Sequence, residues 1–164
     1  MTGRMRLEPD VHKRSTALLT INRIALVQAT LDEVAALRSN KFQGNDETVL
    51  RLLGEYGETS DVAELLWADL PATYWRVDAA DLLTLWAWRT DDNGAKIMRT
   101  LERWVSECSD ESKVWVALHQ DAYPFIDHRS RIDYLLRVKS AFPALGQHCQ
   151  SMIDQSRRWL EAKV

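Results

Sequence analysis

Apolar residues in this chain recur every three or four positions, and nowhere do β-branched residues gather in the strict alternation that a half-buried strand needs. That pattern confines the chain to helices. Leu18, Ile21, Ala25, Val27 and Leu31 form a broad apolar stripe at helical spacing, which predicts a first helix from about Val11 to Asn40, ended by "FQGND". Only 6 Gly and 4 Pro are present, against plentiful Leu, Ala, Glu and Arg, so the helices break at few and definable points.

Those breaks carry their own chemistry. A second helix, from about Asp46 to Tyr56, stops at Gly57, a residue suited to the left-handed backbone at a helix end. "TSD" then caps a third helix from about Asp61 to Leu70, with Glu64 placed as a capping-box partner. Pro71 closes that pair, and Asp78 reads as the N-cap of a fourth helix reaching about Arg89. After "TDDN", a fifth helix from about Gly94 to Cys108 buries Ile97, Leu101, Trp104 and Val105, and "SD" at 109 and 110 caps a sixth through about Ala122. Pro124 and Pro143 fall where the first turns of a seventh and an eighth helix should begin.

The expectation is therefore an all-α protein of about eight helices in a single domain over residues 1–164, with residues 1–10 as a flexible lead. Short connections force consecutive helices antiparallel, giving hairpins over 46–70, 78–108 and 110–141. Such units resemble those of HEAT-like α-solenoids in length and one-sided apolar stripes, although no residue signature is shared between them. A compact orthogonal bundle fits the same pattern. Cys108 and Cys149 form no CxxC or Cys/His ligand spacing, which suits free thiols in a reducing compartment and points to the cytoplasm. The N-terminus has no signal-peptide core, and "ALLTINRIALV" is too short and too interrupted by Asn22 and Arg23 to cross a bilayer.

Two tryptophans in "LTLWAWRTDDNG", Trp86 and Trp88, cannot share a helix face. At about 100° per residue, Ala79, Leu82, Leu83 and Trp86 fall on one side, and Asp81, Thr84, Trp88 and Asp91 on the other. Trp86 is thus expected in the core and Trp88 on a polar face, where an indole exposes a large apolar area of the kind enriched at the centres of protein interfaces. Alternatively, a neighbouring helix or "ATYWRV" folds over Trp88, since most tryptophans are largely buried. Of the chain's 7 Trp, Trp67, Trp104, Trp115 and Trp159 read as core, and Trp75 is the second candidate for exposure.

Charge is unevenly distributed. Residues 46–92 hold eleven Asp or Glu against three Arg, a segment charge of −8, and the rest of the chain carries +5 toward a total of −3. An acidic middle would attract a cationic partner and repel nucleic acid, for which no concentrated basic face exists. Helix capping accounts for part of it, since Asp46, Asp61, Asp78 and Asp92 all stand where an acid favours a helix start.

Catalytic signatures are wanting. "RTDDNG" resembles part of a calcium loop, but its frame puts Arg89 first and Thr100 last where carboxylates are required, so it reads as a helix turn. "HQDAYPFIDH" brings His119, Asp121, Asp127 and His128 around a proline turn, a conceivable metal or acid/base set without the spacing of any known ligand motif. Cys108 is followed by acids that would disfavour a thiolate. No cofactor or metal is implied.

These residues favour a non-enzymatic binding protein that engages another protein, one with a basic surface, through Trp75, Asp78, Asp81, Trp88, Asp91 and Asp92. Small acidic helical proteins of this kind resemble, in type, immunity or antitoxin proteins that mask a toxin or effector by steric and electrostatic complementarity. No motif assigns the chain to such a family. Two alternatives stand beside it: a small metal-assisted or acid/base enzyme using His119 to His128, and a homodimer closed by the exposed indole.

Overall fold

Helix starts and stops follow capping chemistry, and side-chain pairing then decides which helices meet. The computed structural model describes residues 10–44, 46–57, 61–121, 125 and 128–162. Among these lie eight α-helices and no strand: α1 (Asp10–Ser39), α2 (Glu47–Tyr56), α3 (Val62–Asp69), α4 (Arg76–Ala87), α5 (Ala95–Glu107), α6 (Glu111–Leu118), α7 (His128–Ala141) and α8 (Gly146–Glu161). Asp61 caps α3 by accepting the Glu64 backbone N–H at 3.2 Å, and Asp110 caps α6 by accepting those of Ser112 and Lys113 at 2.8 and 3.1 Å. Pro143 opens a 3-10 turn, Pro143–Leu145, that feeds α8. Pro124 lies outside the described residues, as do residues 1–9.

Two boundaries differ from expectation. The fourth helix starts at Arg76, with Trp75 in extended backbone as its N-cap, so Asp78 sits inside the first turn and caps nothing. The sixth ends at Leu118, four residues early, where the Gln120 side chain turns back to donate to the Val116 carbonyl at 2.8 Å.

Helices α2, α4 and α6 lie side by side, as do α3, α5 and α7, while the long α1 crosses α2, α3 and α4. The closest packing between consecutive helices joins α1 to α2, α5 to α6 and α7 to α8, one step out of register with the expected hairpins. The core runs continuously through all of them. On α1 it takes Val27, Leu31, Val34 and Leu37, whereas Ala25, expected on the buried stripe, faces solvent. Trp86 and Trp104 are the largest fully buried side chains. Each has its indole N–H satisfied, Trp86 by the Val49 carbonyl at 3.0 Å and Trp104 by the Glu64 carboxylate at 2.7 Å. Trp159, expected in the core, is 39% exposed near the end of α8.

Candidate functional site

The helical wheel sorts the two tryptophans of "WAW" as the structure does. Trp86 is 0% exposed and meets Tyr56 edge-on at 5.7 Å, whereas Trp88 is 74% exposed. Helix α4 ends at Ala87, and Trp88 forms its C-cap. "ATYWRV" does not cover it, because that segment leads into the other end of α4. Trp75 is also 74% exposed. The two residues stand 13 positions apart at opposite ends of α4, roughly 20 Å along the helix axis.

The acids expected to frame Trp88 are largely neutralised from within. Asp78 is 7% exposed, and with Asp81 it receives the two ends of one guanidinium: Arg38 Nη2 donates to Asp78 at 2.5 Å and Nε to Asp81 at 2.5 Å. Burial pushes the Asp81 carboxyl above its usual range despite Arg38. Asp78 and Asp81 therefore staple α4 to α1 by sharing one cation, and the buried Asp78 is withdrawn from the surface, a correction to the sequence expectation for that residue. The same pairing with a cation holds for most of the segment. Asp46 pairs with Arg89, Asp61 with Arg103, Glu64 with Lys113 and Asp69 with Arg23. Four of the cations involved, Arg23, Arg38, Arg103 and Lys113, come from outside residues 46–92, so a run of negative sequence does not make an equally negative surface.

What remains is the turn after Trp88. Asp92 receives the backbone N–H of Gly94 at 3.1 Å and of Lys96 at 3.0 Å, and the Thr90 hydroxyl receives Gly94 N–H at 2.8 Å. Burial opposes ionisation of Asp92, but these N–H groups, Thr90 and the nearby Lys96 together outweigh it and hold its pKa below the usual carboxylate value. Its oxygens complete α5, as expected of a helix turn rather than a calcium loop. Asp91, next to it, is exposed and has no hydrogen bond or ion pair among the described residues.

This turn forms one wall of a cleft of about 490 Å³ that sequence reasoning missed. Its apolar lining comes from Leu50 and Leu53 of α2, Val62 of α3 and Ile97 of α5. Arg89, Thr90, Asp91 and Asp92 line one side, with Lys96 beyond them, and Gly54 and Gly57 line the other. A Cβ built on Gly54 would meet nothing within 4 Å. One signal was available in the sequence, since a glycine inside a short helix weakens it by about 1 kcal/mol and calls for a reason. Leu50 on the same helix is 42% exposed.

The histidine segment behaves differently. His119 stacks on Trp115 at 3.8 Å and on His148 at 4.3 Å, each pair within 11° of parallel, and Arg76 covers the far face of Trp115 at 5.2 Å. His119 Nδ1 lies 2.7 Å from the Trp115 carbonyl and His148 Nε2 lies 3.0 Å from that of Leu118, which requires an N–H on each of those nitrogens. The in-plane lone pairs of two parallel rings do not converge on one ion. Among the described residues no group of three or more His, Cys, Asp or Glu could hold a metal. Asp121 is exposed, while Asp127 and the His128 side chain lie outside the described residues. Both thiols are deactivated: burial, then the neighbouring Cys108, pushes Cys149 up to about 11, and burial also raises Cys108.

No helix among the described residues is long and apolar enough to cross a membrane. Fold and site together define an all-α protein with an exposed indole at Trp88 and an apolar cleft lined in part by the residues that follow it. Compared with family models, with curated proteins and with solved structures, the chain matches none of them, so its function is read from geometry alone.

Proposed function

We propose that this chain is a non-enzymatic protein-binding module that captures a partner on the face made by α2 and the turn between α4 and α5, with Trp88 as the anchor. The observation that carries this is the 74% exposure of Trp88 on a turn that is itself rigidly held. Trp86, two residues earlier, is locked to the Val49 carbonyl, and the Asp92 and Thr90 side chains fix the turn that follows. A rigid, solvated indole loses little conformational entropy on docking and exchanges a large apolar area with its partner. Masking of a toxin or effector, as immunity and antitoxin proteins do, is one form such capture takes. In that form the partner presents a basic surface to Asp91 and Asp92, and the two unreactive thiols suit a reducing compartment. The side-by-side order of α2, α4 and α6 and of α3, α5 and α7 supports HEAT-like stacking as the scaffold.

The test compares wild type, Trp88→Ala and Trp75→Ala as purified baits. A partner held by wild type and by Trp75→Ala should be weakened by about 1–2 kcal/mol or more with Trp88→Ala. Equal retention by all three removes this surface.

A further inference from the structure

Gly54 and Asp91 together suggest what the cleft is for. Gly54 sits inside α2, where alanine would make a better helix, and its side-chain position points into open space rather than against a neighbour. Among the described residues nothing lies within 4 Å of that position. The walls of the cleft are carbon-rich at the base, from Leu50, Leu53 and Ile97, and its volume of about 490 Å³ falls in the range of sites that enclose a ligand. The rim supplies the sign of the charge. Arg89 is paired with Asp46, and Lys96 lies beside the capping carboxylate of Asp92. Asp91 on the turn is exposed and without a hydrogen bond or ion pair among the described residues. The uncompensated charge at the mouth is thus negative.

We infer that the cleft binds a short segment of a partner protein that inserts one apolar side chain over Leu50 and Leu53 and sets an Arg or Lys beside it against Asp91. This rests on the protein-binding reading above and adds to it the chemistry of the recognised segment. Both halves of the recognition are needed, because apolar burial supplies affinity while a single rim charge chiefly supplies selectivity.

The experiment uses the full chain and fluorescently labelled synthetic peptides, read by anisotropy. One set carries a single Leu or Phe flanked by Arg; a second has Glu in place of each Arg; a third has Ser in place of the apolar residue. The Arg set should bind saturably, and the Glu and Ser sets about tenfold more weakly or not at all. Gly54→Leu fills the cleft and should weaken the Arg set about tenfold; Asp91→Lys should weaken it and narrow the gap between the Arg and Glu sets. Should Gly54→Leu fail to fold by circular dichroism, Leu50→Lys at an already exposed position places a cation in the same space and serves instead. Equal binding of the Arg and Glu sets, undiminished binding by Gly54→Leu or Leu50→Lys, or no binding of any set by wild type overturns the inference. If Trp88→Ala loses the partner protein while Gly54→Leu keeps it, the cleft proposal fails and the docking surface stands. If Trp88→Ala keeps the partner while peptide binding behaves as described, the docking surface fails and the cleft stands.

Discussion

At the scale of single residues, two glycines in this chain answer to opposite rules. Gly94 holds a left-handed φ of 76°, and a Cβ there would stand 2.6 Å from the Cβ of Ala87. Gly94→Ala therefore meets backbone strain and a steric overlap together, and should lower stability by about 2 kcal/mol, read as a shift in the urea midpoint. Gly54→Ala meets open space on a regular helix and should raise stability by about 0.5–1 kcal/mol in the same assay. The tryptophan pair divides in the same way. Trp86→Ala opens a cavity at a position with no exposure and removes a donor from the Val49 carbonyl, a loss of about 3–5 kcal/mol, whereas Trp88→Ala should stay within about 0.5 kcal/mol of wild type. A large loss at Trp88 would mean that the ring supports the fold instead of facing a partner.

Elements are joined by a few polar contacts whose partners are far apart in sequence. Arg38 holds α1 to α4 through Asp78 and Asp81, whose side chains are 10% and 22% exposed. Arg38→Ala leaves both carboxylates without their cation and should cost about 2–3 kcal/mol, measured by denaturant unfolding. The His119–His148 stack joins α6 to α8 and gives the fold a pH response. Burial, with help from the charges of His148 and Arg76, holds the His119 pKa below its ordinary 6.5 against the pull of the Trp115 carbonyl. The unfolded chain then binds the proton more readily than the folded one, so the stability due to this group is full above about pH 6.5 and declines as pH falls through and below that value. Unfolding midpoints at neutral and mildly acidic pH should differ in wild type and differ less in His119→Gln.

For the molecule as a whole, the open question is whether the exposed indoles meet a second copy. Capture of a different protein predicts a monomer at micromolar concentration, and light scattering over a dilution series should give a constant monomer mass; a mass that falls on dilution would assign Trp88 to a homodimer. The same scale explains which expectations were legible in the sequence. Helix number, most helix ends and the opposite fates of Trp86 and Trp88 follow from the 3.6-residue period and from local capping groups, all set by residues within a turn or two of one another. The pairing of the acidic segment with distant cations was not legible. Asp81 looks outward on a helical wheel and Asp78 reads as a helix cap until Arg38, some forty positions away, is folded against them. The cleft was equally hidden, because Leu50, Val62, Arg89 and Ile97 belong to different elements that only packing brings to one opening. What the sequence by itself determined is local: which segments coil and which side of each is apolar. Which charges remain free and where the surface is concave were decided by tertiary structure, since both depend on distances between residues that no spacing along the chain records.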